Sequence, residues 1–110
     1  MGRILLALYA SDGQSAHHVK RYVEWPGVPR QGDTVATHLQ PEDNEQYQVQ
    51  SVSWDTEGEC VVFLGHVQAN EELRAAAQAN DASSVLAFWK GHLEQMGWEV
   101  SSHPWPAAPS

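Results

Sequence analysis

Apolar and polar residues alternate along the first half of this chain, and the spacing becomes helical near residue 70. Ile4 to Ala10 is nearly all apolar, the pattern of a central strand covered on both faces. The turn cluster Ser11-Asp12-Gly13-Gln14-Ser15 follows. Val19, Val23 and Trp25 then share one face of a second strand, while Lys20, Tyr22 and Glu24 take the other. The first two predicted strands are residues 3–10 and 18–25, antiparallel to each other. Prolines and glycines make residues 25–33 a loop, and a third strand spans 34–39 with Val35, Thr37 and Leu39 on one face.

A fourth strand is predicted over 47–54, but its parity changes midway. Tyr47 and Val49 lie on one face and Val52 and Trp54 on the other, which calls for a bulge or bend near Gln50 and Ser51. Asp55-Thr56-Glu57-Gly58 is a hairpin turn leading to a fifth, densely apolar strand over 60–65. Two helices complete the pattern. The first, 70–79, opens on Asn70 as N-cap with Glu71 and Glu72 in its first turn; the second, 84–96, places Val85, Phe88, Trp89, Leu93 and Met96 inward. Asn80 to Ser84 is rich in capping side chains and breaks the two apart, and Gly97 stands where a C′ residue belongs. Residues 98–100 suit a short last strand. The fold class is therefore α+β: a five-stranded antiparallel sheet or partial barrel with one or two C-terminal helices. Residues 1–102 form the single domain, and 103–110 form a proline-rich, extended tail.

The segment from Gly27 to Gly65 resembles the strand meander of SH3-like small barrels of bacterial and phage proteins. The likeness is carried by Pro29-Arg30-Gln31-Gly32-Asp33-Thr34-Val35, Tyr47-Gln48-Val49-Gln50-Ser51-Val52 and Val61-Val62-Phe63-Leu64. It implies a bent strand pairing across a tight turn. It implies no activity, because such barrels host many. The N-terminal hairpin and the helical third are additions to a minimal barrel, so a flat antiparallel sheet with helices on one face fits equally.

Charge narrows the functional classes. The net charge is −8, from 14 acids against 6 bases, which disfavours direct binding to nucleic acid. Nine acids and no Lys or Arg fall between Gln31 and Leu73. Among them Glu42, Asp43, Glu45, Asp55, Glu57 and Glu59 are the candidate contacts to a basic protein surface, steered by long-range attraction. The competing reading is that loop acids keep a small protein in solution. Five tryptophans are mostly core filling, with proline-flanked Trp105 the exception. In the loop Trp25-Pro26-Gly27-Val28-Pro29, Trp25 is either an interface anchor or a lid over one end of the sheet.

Catalytic spacings are absent. The six histidines show no HxH or HExxH pattern, and adjacent His17 and His18 point to opposite strand faces, so no metal site or cofactor is expected. An assembly of His38 with His66 and an acid stays open. Cys60, the lone cysteine, sits at the start of an apolar strand as a small hydrophobe; with no pairing partner it fits a reducing cytoplasm. Ser51 and Ser53 lack a nucleophile elbow. The run Ile4 to Ala10 is far shorter than a membrane span, and no membrane association is expected. The leading expectation is a small acidic protein-binding module of the cytoplasm, in its concrete form a phage- or mobile-element-encoded inhibitor of a nucleic-acid-handling protein, of the anti-CRISPR or nucleic-acid-mimic kind. The alternatives are a small-molecule or catalytic pocket between sheet and helices, involving His66 or Tyr47, and a structural subunit whose Pro-Trp-Pro tail clips onto a neighbour. Oligomeric state is left open.

Overall fold

A computed structural model of the chain describes residues 2–41, 46–101 and 103–106. In chain order the elements are β1 (Gly2–Ser11), β2 (Ser15–Trp25), β3 (Thr34–Ala36), β4 (Gln46–Gln48), β5 (Ser51–Trp54), β6 (Cys60–Gln68), α1 (Glu71–Ala79), α2 (Val85–Gln95), β7 (Glu99–Val100) and β8 (Trp105–Pro106). The class is α+β, with a curled sheet in the order β5-β6-β1-β2-β7. β3 and β4 pair apart from it as a two-stranded sheet.

The expectation of a purely antiparallel sheet is corrected: β6 runs parallel to β1, so the sheet is mixed. Two features of the chain permit this. β1 is apolar on both faces, as strands in parallel surroundings are. The long excursion between β1 and β6 also supplies the crossover length that parallel neighbours need. Nor do the helices end the fold. β7 and β8 follow them, and both pair with β2. In this way the tail segment Trp105–Pro106 becomes a strand on its own chain.

The parity change in the predicted fourth strand marks a passage between sheets. β4 pairs β3, with Val35 opposite Tyr47. β5 pairs β6, with Val52 opposite Val62. Between them Val49 is buried and Gln50 donates its backbone N–H to the Phe63 carbonyl at 2.8 Å.

One face of the sheet carries Ile4, Leu6, Leu8 and Ala10 of β1, with Val19 and Val62 beside them. The helices cover it, and Leu73, Leu86, Trp89 and Leu93 fill the interface. Local chemistry sets the helix ends. The Asn70 side chain accepts from Leu73 N–H at 2.8 Å, and the Ser84 hydroxyl accepts from Ala87 N–H at 3.0 Å. At the far end Gly97 N–H donates to Glu94 and Trp98 N–H to Leu93, a Schellman closure with Gly97 at φ +95°.

The opposite, open face depends on one glycine. β1 advances two residues, from Ala7 to Tyr9, while β6 advances three, from Phe63 to His66. The extra residue is a bulge at Leu64–Gly65, with Gly65 at φ +89°. Strict alternation would put Phe63 and His66 on opposite faces; the bulge puts both on the open one. Gly65→Ala is therefore expected to destabilise the fold by about 1–2 kcal/mol, the cost of a left-handed L-residue. Its new Cβ would also meet Gln50 Cγ at 3.0 Å. Urea denaturation checks this, and wild-type stability would contradict it.

Candidate functional site

Asp55, Glu57 and Glu59 come together on the β5–β6 hairpin, and each carboxylate has a different task. Asp55 builds the turn: its Oδ1 accepts the backbone N–H groups of Glu57 at 2.9 Å and Glu59 at 2.8 Å. Gly58, at φ +83°, closes it by donating to the Asp55 carbonyl at 3.1 Å. Glu59 is drawn toward the sheet, 3.7 Å from the Arg3 guanidinium and accepting from the Tyr22 hydroxyl at 3.4 Å. Arg3 in turn lies 4.0 Å above the Tyr22 ring. Glu57 is exposed. Arg3, Tyr22 and the hairpin acids line a shallow polar depression. Directly before the turn, Trp54 is 63% exposed, which the sequence reading missed.

Trp25 is half-buried and packs against the core, as a lid does. Glu42, Asp43 and Glu45 lie outside the described residues. Cys60 is buried, and burial pushes its thiol pKa up, away from thiolate chemistry. Among the described residues no group of three or more His, Cys, Asp or Glu could hold a metal ion. None of their helices is long and apolar enough to cross a membrane.

A second cluster, also missed by the sequence reading, occupies the other end of the open face. Tyr9 is its hub. The His66 ring stacks on it at 5.0 Å and 16°, His18 lies at 5.3 Å, and Phe63 meets it edge-on at 5.8 Å. Pairing of Ala16 with Trp105 fixes β8 against β2 and sets the Trp105 indole over His18, at 6.1 Å and 12°. Tyr9 and Trp105 stand 6.3 Å apart at 48°. Between these rings is a pocket of about 180 Å³ lined by Tyr9, Ala16, His66, Trp105 and Pro106. The pocket is on the face opposite the helices. On the helix side a second depression, of about 230 Å³, opens beside the filled core where Asp12, Ser15 and His17 meet Leu86, Ala87 and Lys90 of α2. The nearest sequence signals were the His17-His18 pair and the proline-flanked Trp105.

His17 and His18 occupy opposite faces, as their adjacency predicts. His17 is 4% exposed on the helix side, and its Nδ1 has no hydrogen-bond partner among the described residues. Burial lowers the pKa of both rings; Lys90 adds to the effect at His17 and Lys20 at His18. Comparison with protein-family models, curated proteins and solved structures finds no match.

The depressed histidine pKa values give stability a defined pH dependence. The unfolded chain takes up these protons more readily than the folded one. The contribution is complete above about pH 6.5 and is lost as pH falls through the lowered folded values. The urea midpoint is expected to drop between pH 7.5 and pH 5.5, and His17→Leu should flatten the drop. An equal slope in that variant would remove His17 from the account.

Proposed function

We propose that this chain is a small protein-binding module that sets its acidic hairpin on a basic protein surface, with Trp54 as the anchor. A nucleic-acid-handling protein, whose phosphate-binding groove the acids would imitate, is the partner class this reading favours. The observation that carries it is the placement of Trp54, 63% exposed, at the foot of the turn that carries Asp55 and Glu57; its pairing with Cys60 sets it on the sheet face opposite Glu59. A large exposed aromatic next to carboxylates suits the two parts of an interface. The ring supplies the desolvated contact that holds a complex, and the charges steer encounter and choose the partner. Exposed acids alone would serve solubility equally well. An exposed indole on an edge strand does not, because it adds apolar surface where water must cover it.

The division of work among the acids sharpens the test. Asp55 holds the turn and Glu59 is paired with Arg3, so Glu57 is the acid whose reversal leaves the hairpin intact. Tagged protein incubated with host lysate is expected to capture a basic protein at low salt and to lose it as salt rises. Trp54→Ala should weaken capture by about tenfold or more, within the range for interface anchors. Glu57→Lys should weaken it chiefly at low salt. Retention of the same partner by both variants would overturn the reading.

A further inference from the structure

The aromatic pocket on the open face has chemistry of its own, independent of the acidic hairpin. Tyr9, His66 and Trp105 wall it, with Ala16 and Pro106 completing the lining. Among the described residues no Lys, Arg or carboxylate lines it. Lys20, on the same face, is engaged by Glu99 at 4.0 Å. His66 already stacks on one face of Tyr9, and His18 lies against both Tyr9 and Trp105. The ring surface left to a guest carries negative electrostatic potential, in a chain of net charge −8.

The geometry selects the shape of the guest. A flat ring sandwiched between two aromatic faces needs parallel walls about 7 Å apart, two contact distances of roughly 3.5 Å. Tyr9 and Trp105 are 6.3 Å apart and tilted by 48°, so they form a wedge and leave no slot between them. A rounded group of a few carbon atoms can rest in the mouth of the wedge against both rings. The volume of about 180 Å³ is of the right order, since a dry cavity of roughly 150 Å³ accommodates benzene. The exposed lining is mostly apolar and holds no carboxylate among the described residues, which disfavours a bare ammonium that would give up strong hydration on entry. An alkylated ammonium carries the same charge with its hydration already weakened.

The geometry points to a binding site for a methylated or quaternary ammonium group, held by cation–π contact with Tyr9 and Trp105. Pairing of β8 with β2 builds one wall of the site, so the Pro-Trp-Pro segment acts as part of the binding surface. Trp105 is 50% exposed, as a wall open to a guest would be.

The test compares a cation with its uncharged shape. Choline and 3,3-dimethylbutan-1-ol have nearly the same outline, and only choline is charged. The full chain is titrated with each while the Trp105 indole N–H is followed by NMR, its resonance identified by its loss in Trp105→Phe. Saturable shifts with choline, at least about tenfold weaker with the alcohol, are expected. Trp105→Ala, at an exposed position, and Tyr9→Leu, which keeps an apolar side chain on the sheet, should each weaken choline binding by about tenfold. A peptide bearing trimethyl-lysine distinguishes the source of the group. Tighter binding than choline assigns the site to a modified protein tail, and equal or weaker binding assigns it to a free small molecule. Equal binding of choline and the alcohol, or no saturable shift with choline, would overturn the proposal.

Discussion

The indole of Trp89 is fully buried beneath the sheet, and its Nε1–H donates to the Leu39 carbonyl at 2.8 Å. The rest of the fold is arranged around that bond. Burying an indole removes some 150–250 Å² of mostly apolar surface from water, worth about 4–6 kcal/mol at most. The N–H would offset part of that gain if it had no partner, and leaving such a buried group unpaired costs about 1–3 kcal/mol. Leu39 supplies the partner from the irregular stretch after β3, which no sheet ladder holds. Gln40 and Asn70 tie the same stretch to the start of α1: Asn70 N–H donates to Gln40 Oε1 at 2.9 Å, and Gln40 Nε2 donates to the Gln68 carbonyl at 3.0 Å. α2, the β3 loop and the end of β6 are thereby locked into one unit. With the helices packed on one side in this way, the opposite face of the sheet is left to meet solvent.

Gly65 then decides what that open face displays. Without its bulge, His66 would turn toward the helix side. With it, Tyr9 gains a stacked ring and the pocket gains a wall. One backbone conformation that L-residues avoid thus links the pairing of two central strands to the chemistry on their surface.

Much of the fold was legible from local chemistry. The apolar run of β1, the alternation of β2, the caps at Asn70 and Ser84 and the closure at Gly97 are each set by residues within a few positions of one another. The parallel pairing of β1 with β6 was not legible, because it is a choice among non-local partners that alternation leaves open. The split between β4 and β5 left its trace as a parity change, yet parity alone does not distinguish a bulge from a passage between sheets. The same division holds for the sites. The hairpin acids stood out by composition, although the separate tasks of Asp55, Glu57 and Glu59 needed the turn geometry. Tyr9 was hidden inside an apolar run, His66 lay just beyond the predicted end of the fifth strand, which in fact runs on to Gln68, and Trp105 sat in a segment whose pairing with Ala16 no local signal announces.

The two ends of the open face act through different physics. At about 3.3 Å per residue, Arg3 and Tyr9 are roughly 20 Å apart along β1. That is more than twice the screening length of about 8 Å at physiological salt. The field of Asp55 and Glu57 is therefore spent before it reaches the aromatic pocket, and the hairpin contributes little to the cation preference proposed for the pocket. That preference has to come from ring faces in van der Waals contact with the guest, a short-range attraction that added salt weakens only slightly. The hairpin works at longer range, where salt weakens it strongly. A ligand at the proposed pocket site and a protein on the proposed hairpin surface should consequently bind without competing, and ionic strength would separate the two proposed interactions.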